Sequence, residues 1–412
     1  MAGTAGHVLI VGAGQAGAQA AIALRQKGHA GPITVVGDED AAPYERPPLS
    51  KAYLLGDLPA ERLALRSPSF WRQRAIDFRL STAVRRLDTA GRRAELGDGG
   101  ILAYDWCILA TGGRPRRLEC PGSGLAGIAY LRTVADVDGI RAMLARPSRL
   151  VIVGGGYLGL EAAAAARHLG HDVVLVEAAD RLLARVTSPV VSRFFEDQHR
   201  GRGVDIRLGA TVAAFEGRDR VEAVVLAGGE RIRASAVIVS IGILPDTGIA
   251  EAAGIRCEDG VVVDVSCRTS AAAVFAVGDC ARHPSRFAGG LCRLESVPNA
   301  IGQATVAAGI ITGADARYDE LPWFWSDQFD LKLRTAGVVA NHDEPVVRGD
   351  PAQRSFSVLY LREGRLVAID CINRMRDFTD AKPLIARAAS LDMRRLRDGA
   401  VPLHDLAETP PV

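Results

Sequence analysis

Two copies of one glycine pattern, Gly12-x-Gly14-x-x-Gly17 and Gly154-x-Gly156-x-x-Gly159, constrain this chain more than any other feature. Each copy follows a short apolar run, at residues 7–11 and 150–153. Each opens an alanine-rich stretch of helical character, running to Arg25 and to His168, and a second apolar run then follows at 33–36 and 173–176. Strand, glycine turn, helix and strand make a βαβ unit. The first glycine permits the tight turn, the second lets a pyrophosphate approach the backbone, and the third allows helix and strand to pack closely. The helix N-terminus then faces the phosphates with its unpaired N–H groups. A unit that occurs twice predicts an α/β protein with two Rossmann-like dinucleotide-binding domains. No shorter repeat of the solenoid kind interrupts that pattern.

Length and composition agree with this reading. A chain of 412 residues exceeds what one core serves and suggests two or three domains. Hydrophobic residues at 48% and charged residues at 24% argue against a disordered or fibrous chain. Lys and Arg number 50 against 48 acidic residues, so the net charge of +2 gives no reason to expect nucleic acid or an anionic membrane as partner. The apolar runs are far shorter than the roughly 20 residues that span a bilayer. Residues 1–7 carry no basic n-region, so no secretory signal is expected. Seven widely spaced cysteines, with no C-x-x-C and no zinc-ligand pairing, read as reduced thiols of a cytoplasmic protein without a metal site.

The apolar run 104–111 closes on Gly112-Gly-Arg-Pro115, and the run 236–241 closes on Gly242-Ile-Leu-Pro245; each reads as a crossover between domains. After about residue 319 the sequence turns aromatic and alternating, at Trp323-Phe-Trp325, 356–361 and 366–369, which predicts a third, α+β domain. The tail from Pro402 onward is expected to fray.

Acidic residues stand where ribose hydroxyls would be held. Asp38 follows the second strand of the first unit, and Glu177 ends the second strand of the second. A carboxylate at Glu177 repels a 2′-phosphate, and no basic side chain follows before Arg181, which favours NADH over NADPH. Residues 269–279 read as a strand of small and apolar residues ending in Gly278-Asp279, where the glycine admits a close backbone and the acid holds a sugar-like hydroxyl. That stretch resembles the second flavin motif of flavoproteins with two dinucleotide domains. The first fingerprint, the segment Ala110-Thr111-Gly112 and the Gly278-Asp279 pair then converge on one FAD.

Five further segments carry a closer resemblance: Arg46-Pro-Pro-Leu-Ser-Lys51, Tyr130-Leu-Arg-Thr133, Gly156-Tyr-Leu-Gly-Leu-Glu161, Glu295-Ser-Val-Pro-Asn299 and Pro322-Trp-Phe-Trp-Ser-Asp-Gln328. Nearly end to end, the chain resembles the ferredoxin reductases of the putidaredoxin reductase type. The resemblance implies an FAD domain in two segments, 1–114 and 242–320, an NAD domain at 115–241, and a C-terminal α+β domain at 321–412. It implies FAD contacts from Ala16, Asp38, Lys51, Val84, Arg132, Asp279 and Val297, with Arg46, Glu295, Ser296 and Trp325 in the flavin set. Tyr157, Leu158, Glu161 and Gly242 fall in the NAD set. Lys51 would pair with Glu161 on the nicotinamide side, on a loop stiffened by Pro47 and Pro48, and Trp325 would cap the flavin region.

A flavin accepts two electrons together and releases them singly, so no acid-base triad is needed. Neither C-x-x-x-x-C nor C-x-x-C occurs, and the first cysteine, Cys107, lies in an apolar run, so thiol-based reduction is disfavoured. Direct transfer to an external carrier remains, which the resemblance identifies as a transient 2Fe-2S ferredoxin serving a monooxygenase or dioxygenase. Arg66 and Arg334 are candidate docking residues for an acidic partner. The competing readings are an NADH oxidase or disulfide reductase of the same fold, and a slow regulatory flavoprotein resembling apoptosis-inducing factor. A monomer or weak dimer is expected.

Overall fold

The computed structural model describes residues 5–340, 342–343 and 345–407. The chain divides into two compact units, one of residues 1–45, 61–114 and 244–322, the other of residues 46–60, 115–243 and 323–412.

In the first unit the strands Val8–Val11 and Ile33–Val36 are buried along their whole length, as parallel strands covered on both faces must be. They belong to a five-stranded parallel sheet in the order Val274–Ala276, Trp106–Leu109, Val8–Val11, Ile33–Val36, Ile76–Arg79. Alternation along the first strand sends Val8 and Ile10 into one core, with the alanines of the helices Gln15–Gln26 and Val297–Ile311. It sends Leu9 and Val11 into another, with Leu87, Leu96 and Leu109. Small side chains let the two helices pack against each other beside the sheet.

The strand expected over 269–279 is only Val274–Ala276. Thr269 Oγ1 donates toward the carbonyls of Ala271 and Val274 and accepts from Ala271 N at 3.1 Å, closing a turn, and Ala273 has a φ of 62°. An extended strand cannot hold that geometry.

The second unit repeats the plan. Its parallel sheet runs Val204–Arg207, Asp172–Val176, Arg149–Val153, Ala236–Val239, Ile128–Tyr130, with the helix Tyr157–His168 following the third of these strands. The same unit holds a five-stranded antiparallel sheet in the order Trp323–Gln328, Leu331–Gly337, Arg365–Ile372, Ser355–Arg362, Pro345–Asp350, against which the helix Met375–Ala386 packs. The tail is not frayed from Pro402 as expected. Leu403 and Leu406 are buried in a short 3-10 turn, and Arg348, itself buried, donates to the carbonyls of Leu396, Asp398 and Val401. Apolar anchoring and carbonyl pairing hold the segment through residue 407; residues 408–412 of that expectation lie outside the described residues. Among the described residues no helix is long and apolar enough to cross a membrane.

Candidate functional site

Each unit presents a glycine cradle at a helix N-terminus. In the first, Gly12 has a φ of 113°, and a Cβ there would lie 2.1 Å from the carbonyl oxygen of Ala110, so glycine alone lets the fingerprint turn meet the end of the neighbouring strand. A Cβ on Gly17 would fall 1.9 Å from Gly12 O, which ties helix to strand. Gly14 is the N-cap of the helix Gln15–Gln26; no side chain caps that end, and the space where its Cβ would stand is open. Uncapped N–H groups facing open space suit a pyrophosphate.

Gly278, with a φ of 80°, closes on the same cradle, since a Cβ there would stand 2.9 Å from Ala16 Cβ. Its N–H donates to Gln303 Oε1 at 2.7 Å, and Gln303 Nε2 lies 3.0 Å from His283 Nδ1. Both side chains are buried, and burial holds the His283 imidazole down to about 4. The structure therefore brings together Gly12, Gly14, Ala16, Gly17, Ala110 and Gly278. Thr111 Oγ1 donates to Asp246 O at 2.6 Å beside Gly112, whose φ is 66°. Asp279 and Val84 are half-buried. Ser296 caps the helix Val297–Ile311 by accepting from Asn299 N at 3.3 Å, and Glu295 is exposed and paired with Arg293 at 2.7 Å. Asp38 is exposed and stands one residue beyond Gly37, which directly follows its strand as Glu177 follows the equivalent strand of the second unit.

The second cradle has the same construction. A Cβ on Gly154 would lie 2.1 Å from Ser240 O, one on Gly159 would lie 2.0 Å from Gly154 O, and the N-cap Gly156 faces open space without a side-chain cap. Glu177 is braced against it, with Oε2 accepting from Gly155 N at 2.5 Å and Oε1 from Ala179 N at 2.7 Å. Arg181 is turned away, donating to Thr187 O, Ala184 O and Ser192 Oγ. Tyr157 and Leu158 are half-buried at the helix start, the Tyr157 ring 4.8 Å from Phe324, and Gly242 has a φ of 97°.

Glu161 lies one turn into the helix Tyr157–His168, only 6% exposed among buried alanines. A carboxylate there requires partners. Lys51 Nζ lies 2.7 Å from Oε2, Ser50 Oγ donates to the same oxygen at 2.5 Å, and Ser326 Oγ donates to Oε1 at 2.6 Å. Lys51 follows the 3-10 turn Pro47–Ser50, whose first two positions are proline. Arg46 Nη1 donates to Arg132 O at 2.6 Å and Tyr53 OH to Asp138 at 2.6 Å, which fastens this short segment to the start of the helix Val134–Met143. Phe324, Ser326 and Gln328 alternate onto the face toward Glu161, whereas Trp325 stands on the opposite face with Trp323, ring centroids 5.6 Å apart.

The docking candidates separate. Arg66 is exposed. Arg334 is 17% exposed and its Nη1 is 2.8 Å from Asp327 of the adjacent strand. Sequence reasoning missed roles for Ser50, Ser326, Gln328, His199, His283 and Gln303. Alternation in the Trp323–Gln328 strand could have grouped Ser326 with Gln328; nothing in the sequence points to His199.

All seven cysteines are free, and burial pushes the thiols of Cys107, Cys267 and Cys371 well up, so none of these three is a thiolate at neutral pH.

Residues 6–304 match the family model described as pyridine nucleotide-disulphide oxidoreductase, and residues 323–407 match the reductase C-terminal model. The 5,5'-dehydrodivanillate O-demethylase ferredoxin reductase subunit of a Sphingobium species is 49% identical, over 97% of this chain and 97% of that protein. Putidaredoxin reductase of Pseudomonas putida is 42% identical, over 97% of this chain and 96% of that protein. The crystal structure of the covalent putidaredoxin reductase–putidaredoxin complex superposes with a TM-score of 0.95 at 42% identity, covering 97% of this chain and 98% of that one. The chain is an oxidoreductase that uses FAD and a pyridine nucleotide. It belongs to the pyridine nucleotide-disulphide oxidoreductase family and, within it, to the ferredoxin reductases of the putidaredoxin reductase type.

Proposed function

We propose that this enzyme takes reducing equivalents from NADH through FAD to a 2Fe-2S ferredoxin that supplies a monooxygenase or dioxygenase. The observation that carries this reading is the pair of uncapped glycine cradles, one in each unit, in a chain whose cysteines are all free. Two dinucleotides can be held, and no disulfide is present to receive electrons. The names of the relatives, a ferredoxin reductase subunit of an O-demethylase and putidaredoxin reductase, supply the class of acceptor.

When bound, FAD accepts a hydride from the nicotinamide and gives up its electrons one at a time. The first cradle, with Gly12, Gly14, Gly17 and Gly278, would hold the FAD pyrophosphate. Asp38, Val84, Thr111, Asp279 and Val297 of that unit would complete its contacts. The second cradle would hold the pyrophosphate of NADH. Glu177, already fixed by two backbone donors, keeps lone pairs for the ribose hydroxyls, and Arg181, committed to its own loop, is not directed toward a 2′-phosphate. Lys51 and Glu161 would orient the nicotinamide, which matters because alignment of reacting atoms supplies much of a bimolecular rate. The domains are read as 1–114 with 242–320 for FAD, 115–241 for NAD and 321–412 as the C-terminal domain. The free thiols support a reducing compartment, the cytoplasm, and Arg66 and Arg334 are the docking groups proposed for an acidic ferredoxin.

The test is cytochrome c reduction by purified enzyme under NADH and then NADPH, with and without a 2Fe-2S ferredoxin. Rapid reduction that requires both NADH and ferredoxin supports the proposal. Reduction of the flavin without acceleration by any ferredoxin would replace it with the oxidase or regulatory reading.

A further inference from the structure

The ion pair of half-buried Lys51 with buried Glu161 is not the end of its network. Gln328 Nε2 lies 3.2 Å from Ser326 Oγ, and Gln328 Oε1 lies 2.9 Å from His199 Nε2. Ser326, Gln328 and His199 are 0%, 1% and 0% exposed. The direction of every link follows from the charged end. A carboxylate can only accept, so Ser326 must donate its hydroxyl proton to Glu161. The Ser326 oxygen then accepts from the amide NH₂ of Gln328, whose carbonyl is left to accept from a protonated Nε2 of His199. His199 Nδ1 has no partner among the described residues, and the ring is held neutral, as this tautomer requires.

We infer that His199, Gln328 and Ser326 form a one-way hydrogen-bonded chain of positioning residues that fixes the orientation of Glu161 and, through it, of Lys51. This rests on the proposed place of Glu161 beside the nicotinamide. The chain orients and does not conduct: it ends at a fully buried imidazole packed 5.0 Å from the Phe329 ring, whose Nδ1 has no hydrogen-bond partner among the described residues. Three polar links in an apolar interior polarise one another in the same sense, and each presents its donor toward the carboxylate. Oε2 of Glu161 is held by two donors, and among the described residues Ser326 supplies the donor to Oε1 that completes the fixing of the carboxylate plane. Without it Oε1 loses that donor, and the carboxylate plane is held only from the Oε2 side, through Lys51 and Ser50.

Two measurements test this. The first is the rate of flavin reduction by NADH in a single turnover, with the NADH dissociation constant, for Ser326→Ala and Gln328→Met, each alone and combined with Glu161→Gln. Ser326→Ala should slow reduction by about tenfold, the effect of one hydrogen bond to a charged group, and Gln328→Met should slow it by less, since it removes a link between neutral groups. In the Glu161→Gln background the further loss should vanish. Additive losses, or wild-type rates when Glu161→Gln itself is slow, would overturn the chain and leave the role of Glu161 standing; a wild-type rate for Glu161→Gln would overturn the reading of Glu161 and the inference with it. The second measurement needs no variant to turn over. Nitrogen-15 spectra of the eight imidazoles, with His199→Gln to assign the resonance, should report a neutral His199 protonated on Nε2. A proton on Nδ1 would force the Gln328 amide to reverse, turn Ser326 away from Glu161, and refute the chain.

Discussion

Lowering the pH brings a proton to His199 in the unfolded chain long before the folded protein can accept one. Burial is the larger cause, and Arg202 adds to it; the hydrogen bond with Gln328 works in the other direction but is outweighed, so the imidazole is held down to about 4 from an ordinary 6.5. Between those values the unfolded state binds more protons, so stability is complete above the unfolded pKa and is lost progressively as the pH falls through the folded one. The full difference corresponds to roughly 3 kcal/mol, of which about 2 kcal/mol is lost between about pH 7 and about pH 4.5. Asp370 titrates in the opposite sense. Buried beneath Thr187 and Tyr360, its carboxyl is pushed up to about 6, which favours the folded state at low pH and is lost as the pH rises. The acid response of the whole protein is therefore a partial cancellation and cannot by itself isolate His199. The comparison of wild type with His199→Gln can, because Asp370 and His283 are common to both. Urea unfolding followed by circular dichroism at the two pH values should find wild type losing about 2 kcal/mol more than the variant on acidification. If the gap between the two proteins is the same at both pH values to within about 0.5 kcal/mol, the imidazole is not a suppressed base.

Glu177→Ala removes the acceptor braced at the second cradle, so kcat/KM for NADH should fall about 10- to 100-fold with little change for NADPH, checked by steady-state kinetics with each nucleotide. Gln303→Leu leaves two buried groups, Gly278 N–H and His283 Nδ1, without their partner. At about 1–3 kcal/mol for each, it should lower the melting temperature and release FAD on desalting; a variant that keeps both unchanged contradicts the bracing role. Arg348→Met should cost about 3–5 kcal/mol, because it strips Asp377 of a buried partner and frees the carbonyls of Leu396, Asp398 and Val401. Limited proteolysis should then cut first within residues 391–407.

What could be read from the sequence depended on how local the physics was. The fingerprints were legible because each glycine answers to a neighbour only a few residues away or to the next strand: Gly17 to Gly12, Gly12 to Ala110. The strands Val8–Val11 and Arg149–Val153 announced themselves by apolar runs, as strands covered on both faces do. The 269–279 stretch misled because composition alone cannot reveal that Thr269 folds back on Ala271 and Val274. The pairing of Arg334 was hidden for a related reason: only the cross-strand register puts it within reach of Asp327.

The buried polar network was invisible for a deeper reason. Glu161 was found through a motif, yet the need for its partners arises only when alanines surround it and water is excluded. No rule of periodicity connects Ser50, Glu161, His199 and Ser326, which come from four elements far apart in the chain. A hydroxyl, an amide and an imidazole each look like ordinary polar residues until folding removes their solvent. The direction of their hydrogen bonds is then fixed by a single fact, that a carboxylate has no proton to give, and this one constraint propagates through Ser326 and Gln328 to determine the tautomer of His199.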